Sequence, residues 1–409
     1  MTTSGTPSGA RNGVRNGAAK TYRVAAIGHT GRGGFGHGLD VAWQGLPGIS
    51  IDYVAVADPV EEGLAAAAQR TGAKRAYADY HELLERERGL DFVSIGPRWM
   101  EQHVDMVRAC TAAGVRGIFL EKPMAATPGD CDVILAACRA AGTVLEVGHG
   151  RRFDPWIHRT RALIAAGKIG QLLAISGNGK CDRRGGPEDT MVLGTHMFDL
   201  MRLFAGDVAW AWGRITLEGR DLRPADVIEG AEGMGASGGD GVVAHYAFGN
   251  GVAAYWESRK ELGKGKGNQV FGLTFHGSDG ILSYRCSPDD HNVFFYPRPW
   301  AGPGDDTEWE PIAKDAIALP PDTPAYSDRN DLTRSNKQVL DLIAALEEGR
   351  EPYANGKDAR AAVEMVTAIA ESHRTGARVP FPLDNRANPY DALRRGETAV
   401  GVQRELVRA

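Results

Sequence analysis

The sequence predicts an α/β protein in two parts: a doubly wound parallel sheet, then an α+β domain with an open, mostly antiparallel sheet. Three observations predict it. Up to Val147, six short apolar runs alternate with helical patterns, the grammar of parallel strands joined by crossovers. A glycine-dense loop follows the first run. After Gly148 the pattern changes to alternating strands separated by turn sequences, as in hairpins.

The first strand is Tyr22–Ile27, and the loop Gly28-His29-Thr30-Gly31-Arg32-Gly33-Gly34-Phe35-Gly36 comes next. A helix is expected through Leu39, Val41, Ala42 and Trp43. Strand, glycine loop and helix form the context of a Rossmann dinucleotide fingerprint, in which glycines bring a pyrophosphate against N–H groups at a helix N-terminus. Two registers fit: Gly31-x-Gly33-x-x-Gly36, or Gly28-x-x-Gly31-x-x-Gly34. The second strand, Ile51–Ala57, ends in Asp58-Pro59. A carboxylate there accepts from a ribose hydroxyl and repels a 2′-phosphate, which favours NAD over NADP. Asp58 can equally cap the next helix, with Pro59 at its first position.

That helix is expected from Val60 to Arg70. A short strand, Arg75–Tyr77, and a helix, Tyr80–Glu87, follow. The fourth strand, Leu90–Ile95, ends in Gly96-Pro97-Arg98. Met100, Val104 and Val107 then share one helix face. The fifth run, Gly117–Leu120, leads into Glu121-Lys122-Pro123. A residue before proline is held extended, so Lys122 belongs at the carboxyl end of a strand, where ligands of open α/β sheets bind. Thr127 caps a helix running to about Ala141, and the sixth strand is Thr143–Val147.

In the second half, Asp154 caps a helix from Pro155 to about Ala166, and a strand at Leu172–Ser176 precedes a charged loop, Lys180–Asp189. A helix carries Gly194-Thr195-His196-Met197-Phe198-Asp199. Strands are expected at 208–217, 242–248, 252–258, 270–275, 281–285 and 293–296. Glu229–Gly241 is glycine-rich and reads as a mobile loop. Amphipathic helices are expected at 328–346 and 357–372. The corresponding division is a disordered tail (1–20), a NAD-binding domain (21–150), a substrate-binding and oligomerisation domain (151–383) and a polar C-terminal tail (384–409).

The chain has 409 residues, 43% of them hydrophobic and 24% charged, which is ordinary for a globular protein. A net charge of -5 argues against nucleic acid or an acidic membrane as partner. No apolar run is long enough to span a bilayer. The N-terminal stretch is rich in Gly, Ser, Thr, Asn and Arg and lacks the apolar segment of a signal peptide. Five scattered cysteines without a CxxC pair read as reduced thiols in a cytoplasmic protein. Asp289-Asp290-His291 reads as solvated surface, so no metal site is expected.

The glycine loop, Asp58, Pro97 with His103, Glu121-Lys122-Pro123, Arg152-Phe153 and Gly194-x-His196-x-x-Asp199 stand in an order that resembles the glucose–fructose oxidoreductase / inositol dehydrogenase (Gfo/Idh/MocA) family. The resemblance runs from about Tyr22 to Leu383. It implies NAD(P)-dependent redox chemistry on sugars or cyclitols, often with assembly of copies through the C-terminal sheet. Carried onto this chain, it makes Lys122 and His196 catalytic. Lys122 would bind the reacting hydroxyl and the nicotinamide ribose; His196 would be the acid/base group. It places Gly28, Thr30, Gly31, Gly33, Gly34, Asp58, Pro97, Glu121 and Lys122 at the cofactor. Arg152, Asp182, Asp189 and Asp199 are the substrate-side candidates. One position departs: many members carry an aspartate four residues before the histidine, and here that residue is Val192. A carboxylate for His196 is then sought at Asp182, Asp189 or Asp199.

Three functions stay in view: a dehydrogenase of a secondary alcohol, a glycosidase using NAD in a transient oxidation–elimination cycle, and a NAD-binding sensor. Asp182, Glu188 and Asp189 are the extra groups the second would draw on.

Overall fold

A computed structural model describes residues 20–262, 271–286, 293–300, 302, 307–313 and 317–398. The Asp289-Asp290-His291 cluster and nearly all of the N-terminal tail lie outside these residues.

The first domain is built on six parallel strands: β1 (Thr21–Ile27), β2 (Ser50–Ala57), β3 (Arg75–Tyr77), β4 (Phe92–Ile95), β5 (Gly117–Leu120) and β6 (Val144–Val147). Their spatial order is β3-β2-β1-β4-β5-β6, the doubly wound order with its crevice between β1 and β4. The connecting helices are α1 (Glu61–Thr71), α2 (Tyr80–Arg86), α3 (His103–Ala112) and α4 (Pro128–Ala141). Thr127 caps α4 by accepting from the Asp130 N–H. Asp58 does not cap α1; that position falls to Val60, without a side-chain bond.

The helix expected after the glycine loop is absent. Residues 30–40 run as turns and end in a single 3₁₀ turn, Val41–Trp43. Gly31, Gly33, Gly34, Gly36 and Gly38 all have positive φ, which no right-handed helix accommodates. The apolar residues still reach the core: Phe35, Leu39, Ala42 and Trp43 are buried against the sheet. The Trp43 indole N–H donates to Ser94 Oγ at 2.8 Å.

The second domain begins with α5 (Pro155–Ala165), capped by Asp154. It continues with strand β7 (Leu172–Asn178), then α6 (Pro187–Val192) and α7 (Gly194–Ala205). The remaining strands are β8 (Val208–Leu217), β9 (Arg220–Asp221), β10 (Ile228–Glu229), β11 (Ala236–Ser237), β12 (Gly241–Phe248), β13 (Ala253–Arg259), β14 (Gly272–Gly277), β15 (Ile281–Arg285), β16 (Val293–Tyr296), β17 (Glu310–Pro311) and β18 (Val379–Pro380). The large sheet has the order β17-β16-β15-β14-β7-β13-β12-β8-β18. Its pairs are antiparallel except β7 with β13. The expected hairpins at Gly249–Gly251 and Gly277–Gly280 join β12 to β13 and β14 to β15.

The expected mobile loop at Glu229–Gly241 is an ordered ribbon. β10 pairs with β11, and Met234 packs with Met100, Met191 and Val192. The tail after Leu383 is also more than a polar strap. It forms α10 (Pro389–Arg394), whose Tyr390 and Leu393 are buried in the second core. The Asn388 amide donates to Ala236 O and so ties this segment to the ribbon.

Two late helices complete the structure: α8 (Arg334–Glu348) and α9 (Gly356–Thr375). α8 belongs spatially to the first domain. Val339, Leu340, Leu342 and Ile343 fill the same core as Tyr22, Val24, Phe92 and Phe119. The Asn336 amide donates to Ala42 O at 2.8 Å and the Gln338 amide to Val147 O at 2.9 Å. α8 thus covers the sheet face that the non-helical glycine loop leaves open.

Leu342 is fully buried there. We expect Leu342→Ala to lower stability by about 2–5 kcal/mol and to weaken dinucleotide binding, although the residue is remote in sequence. Urea unfolding with and without NADH checks this. A variant with unchanged unfolding would show that α8 is not structural cover for the first domain.

Candidate active site

Glu121 and Lys122 leave the end of β5 and enter a cis Lys122–Pro123 peptide. Both are buried. The Glu121 carboxylate accepts from the His37 N–H at 3.0 Å and from the Lys122 N–H, and lies 3.0 Å from His37 Nδ1. Burial pushes its carboxyl up, and the contacts with His37 and Lys122 outweigh that, leaving it below the ordinary value. A side chain at Gly36 would strike this carboxylate, so that glycine is required by space as well as by its φ of +63°. Glu121 therefore pins the glycine loop to β5.

Lys122 Nζ donates to the backbone carbonyl of Val192 at 2.8 Å, across the domain boundary. Burial lowers its pKa, and Glu121 and Glu232 pull it partly back. Val192 explains its own departure from the family pattern. Its side chain is 2% exposed, in a cluster with Met100, Met191 and Met234, where an unpaired carboxylate would be costly. The polar contact to the lysine comes from the main chain instead.

His196 stands on the first turn of α7, half-buried. Burial first, then Lys122, His149 and Arg151, hold its imidazole well below the ordinary value, so the ring is neutral at neutral pH. Its Nδ1 is buried with no hydrogen-bond partner among the described residues. None of the three carboxylates sought for it makes a hydrogen bond to it among the described residues. Asp182 is bound to Arg184 at 2.5 Å. Asp189 is fully buried and takes the Ser258 hydroxyl at 2.7 Å and the Cys181 N–H at 3.0 Å; burial pushes its carboxyl up. Asp199 takes Arg152 Nε at 2.7 Å. Arg152 is itself buried, with further contacts to Asp358 at 2.9 Å and Tyr353 O at 3.0 Å. Arg152, Asp189 and Asp199 thus act as internal ties.

The residue missed by sequence reasoning is His149. It follows Gly148, the first residue after β6, is 2% exposed, and lies with its ring centroid 5.5 Å from that of His196. A histidine two residues past a strand end, facing a second histidine on another domain, has no local signature.

On the nucleotide side, a cleft of about 360 Å³ opens at the carboxyl ends of β1 and β2, the place the topology reserves for a nucleotide. Gly28, Asp58, Pro59, Asp79, Tyr80 and Asp105 are among its lining residues. Asp58 is 1% exposed. Its carboxylate accepts from the Thr30 N–H and hydroxyl and from the Val60 N–H, so it braces the loop as well as edging the cleft. Among the described residues, Gly31 and Gly34 have no atom within 4 Å of where a Cβ would stand, whereas a Cβ at Gly33 would come 2.7 Å from Arg98 N. Pro97 O lies 2.7 Å from His103 Nε2, which fixes the turn after β4. These residues fit a dinucleotide whose adenosine end meets carboxylates. A larger cavity of about 690 Å³ involves Arg139, Arg202 and Arg360 and none of the candidate residues. Among the described residues, no group of three or more His, Cys, Asp or Glu is placed to hold a metal ion. No helix among them is long and apolar enough to cross a membrane. All five cysteines are buried and unpaired.

A doubly wound nucleotide domain joined to an open-sheet domain, with a lysine at the seam, defines the class of two-domain nicotinamide-dependent oxidoreductases. Residues 22–149 match the model of the oxidoreductase family with the NAD-binding Rossmann fold, and residues 161–381 match that family's C-terminal alpha/beta domain. The chain belongs to the Gfo/Idh/MocA oxidoreductase family. It is 28% identical over 358 residues to the D-apiose dehydrogenase of Paraburkholderia graminis, covering 83% of this chain and 84% of that one. It is 24% identical to a D-xylose 1-dehydrogenase (NADP(+)) of Haloferax volcanii, covering 80% and 91%. A levoglucosan dehydrogenase solved with NADH and levoglucosan shares the fold, with a TM-score of 0.67, 18% identity and coverage of 89% of this chain and all of that one.

The three carboxylates among the cleft's described lining residues, with no lysine or arginine among those residues, lead us to expect NADH to bind about tenfold or more tightly than NADPH. Fluorescence titration of both cofactors measures it, and equal affinities would remove Asp58 and its neighbours from cofactor choice.

Proposed function

We propose that this protein is a NAD-dependent dehydrogenase acting on a secondary alcohol of a sugar, glycoside or cyclitol. The observation that carries the proposal is the bond from Lys122 Nζ to Val192 O, four residues before His196, at the domain seam beyond the ends of the parallel strands. The names of the relatives support the substrate class.

Bound NAD would supply the hydride acceptor. The protein's own part is to bind and deprotonate the alcohol. Lys122 has three N–H donors, and Val192 O takes one of them. The others can hold the reacting hydroxyl oxygen and a ribose hydroxyl, which favours the alkoxide. His196, kept neutral by burial and by the lysine, accepts the hydroxyl proton, a role suited to an imidazole. The Met100–Met191–Val192–Met234 cluster buries Val192, whose carbonyl accepts from the lysine.

Lys122→Met and His196→Ala should each lower turnover by about a hundredfold or more, with NADH binding retained. Stopped-flow turnover with cofactor titration checks both. Because the His196 pKa is depressed, alcohol oxidation should fall off only below about pH 6.5, the ordinary histidine value. A rate already falling above that point would separate the limb from His196.

Assay of pure protein with NAD and a panel of sugars and glycosides distinguishes the functions. A dehydrogenase accumulates NADH in step with a ketone. Release of an aglycone without stoichiometric NADH would instead select the NAD-dependent glycosidase; Asp182 and Asp189 are already bound to Arg184 and Ser258, which weighs against that cycle. The open face of the large sheet is the surface through which copies associate. Trp212 and Tyr255 flank His245 on adjacent strands and are 40% and 48% exposed. Trp212→Lys with Tyr255→Lys should give a smaller species in light scattering while NADH still binds.

A further inference from the structure

We propose, on the dehydrogenase reading above, that His149 is a positioning residue that fixes the tautomer of His196 and connects it to the carboxylate of Asp199. His149 Nδ1 lies 3.7 Å from Asp199 Oδ1. On its other side the His149 and His196 rings meet edge to face, with an interplanar angle of 62°. Among the described residues, one buried atom in each of the three has no hydrogen-bond partner: Asp199 Oδ1, His149 Nε2 and His196 Nδ1.

The donor inventory orders them. Asp199 Oδ2 already takes Arg152 Nε, and Oδ1 offers an acceptor. A neutral imidazole has one donor and one acceptor, and burial favours the neutral form of both rings. His149 then directs its Nδ1–H at Asp199 and its Nε2 lone pair toward His196. His196 answers with Nδ1–H, which leaves its Nε2 lone pair for the substrate. When the substrate O–H bond breaks, the new N–H bond forms at His196 Nε2. The positive charge is shared through Nδ1–H with His149 and offset by Asp199. His196 is half-buried and returns the proton to water after the product leaves. The charged and titratable groups around His149 are Asp199, Arg152, Lys122 and Asp358. Those around His196 are Lys122, His149, Arg151 and His37. Lys122 and Arg151 oppose an imidazolium, and Asp199 is the counter-charge. This arrangement supplies from the side what Val192 does not supply from the preceding turn.

Two measurements test it. In the full-length, histidine-¹⁵N-labelled protein with NAD, long-range ¹⁵N–¹H correlation spectra near pH 7.5 should show His196 as the Nδ1–H tautomer, assigned by its loss in His196→Asn. The Nε2–H tautomer would overturn the proposal, and this readout needs no variant at position 149. Turnover then compares His149→Phe, which keeps ring bulk, with His149→Gln, whose amide can both donate and accept. Phe should lower kcat about thirtyfold with KM within about twofold. Gln should recover to within about fivefold of the wild type. Equal losses in both variants, or wild-type turnover in Phe, would overturn it. If the wild-type protein oxidises no alcohol, the dehydrogenase reading fails, and the tautomer still decides whether His149 holds His196.

Discussion

The bond from Lys122 Nζ to the carbonyl of Val192 is the constraint on which the active-site arrangement depends. It carries a buried ammonium from the first domain onto the backbone of the second. An ammonium is costly to bury without partners, so this contact sets where α6 must end. Val192 closes α6, and His196 lies four residues on, in the first turn of α7. The lysine and the imidazole are therefore brought together by one main-chain acceptor and one short stretch of helix.

Around that contact, most charged groups are engaged with one another. Glu121 takes His37, Asp182 takes Arg184, Asp199 takes Arg152, and Asp154 takes the Tyr284 hydroxyl at 2.9 Å. Breaking one member of such a buried set leaves an uncompensated group, which is more damaging than never having built the pair. The candidate substrate residues Arg152 and Asp189 belong to this internal network. Among the described residues, the groups with free capacity at the seam include the remaining protons of Lys122 and unpartnered nitrogens of His149 and His196.

Much of the fold was legible in the sequence because its signals are local. The β5 run and Pro123 place Lys122, and Thr127 and Asp154 start their helices where side-chain oxygens predict. The failures share a cause. The run Leu39, Val41, Ala42 and Trp43 after the glycine loop suggests a helix, but glycines with positive φ break the path and Leu39, Ala42 and Trp43 bury themselves outside any α-helix. The glycines of Glu229–Gly241 suggest a mobile loop, whereas Met234 is fixed by contacts that include Met100 of the other domain. His149 was invisible because its meaning comes from a partner 47 residues away. The role of Val192 was hidden for a different reason: a sequence shows side chains, and the acceptor is a carbonyl that every residue has.

The position of α8 has a consequence for how the chain is made. Its apolar face covers a sheet whose last strand ends at Val147, yet Val339 to Ile343 leave the ribosome roughly 200 residues later. At about 5–20 residues per second, the nascent nucleotide domain waits on the order of 10–40 s with one face uncovered. During that interval Phe92, Phe119 and their neighbours present a surface that chaperones recognise. The same geometry limits inheritance: a gene fragment ending near residue 150 encodes the strands of the nucleotide domain without its lid, so the two halves are bound to travel together.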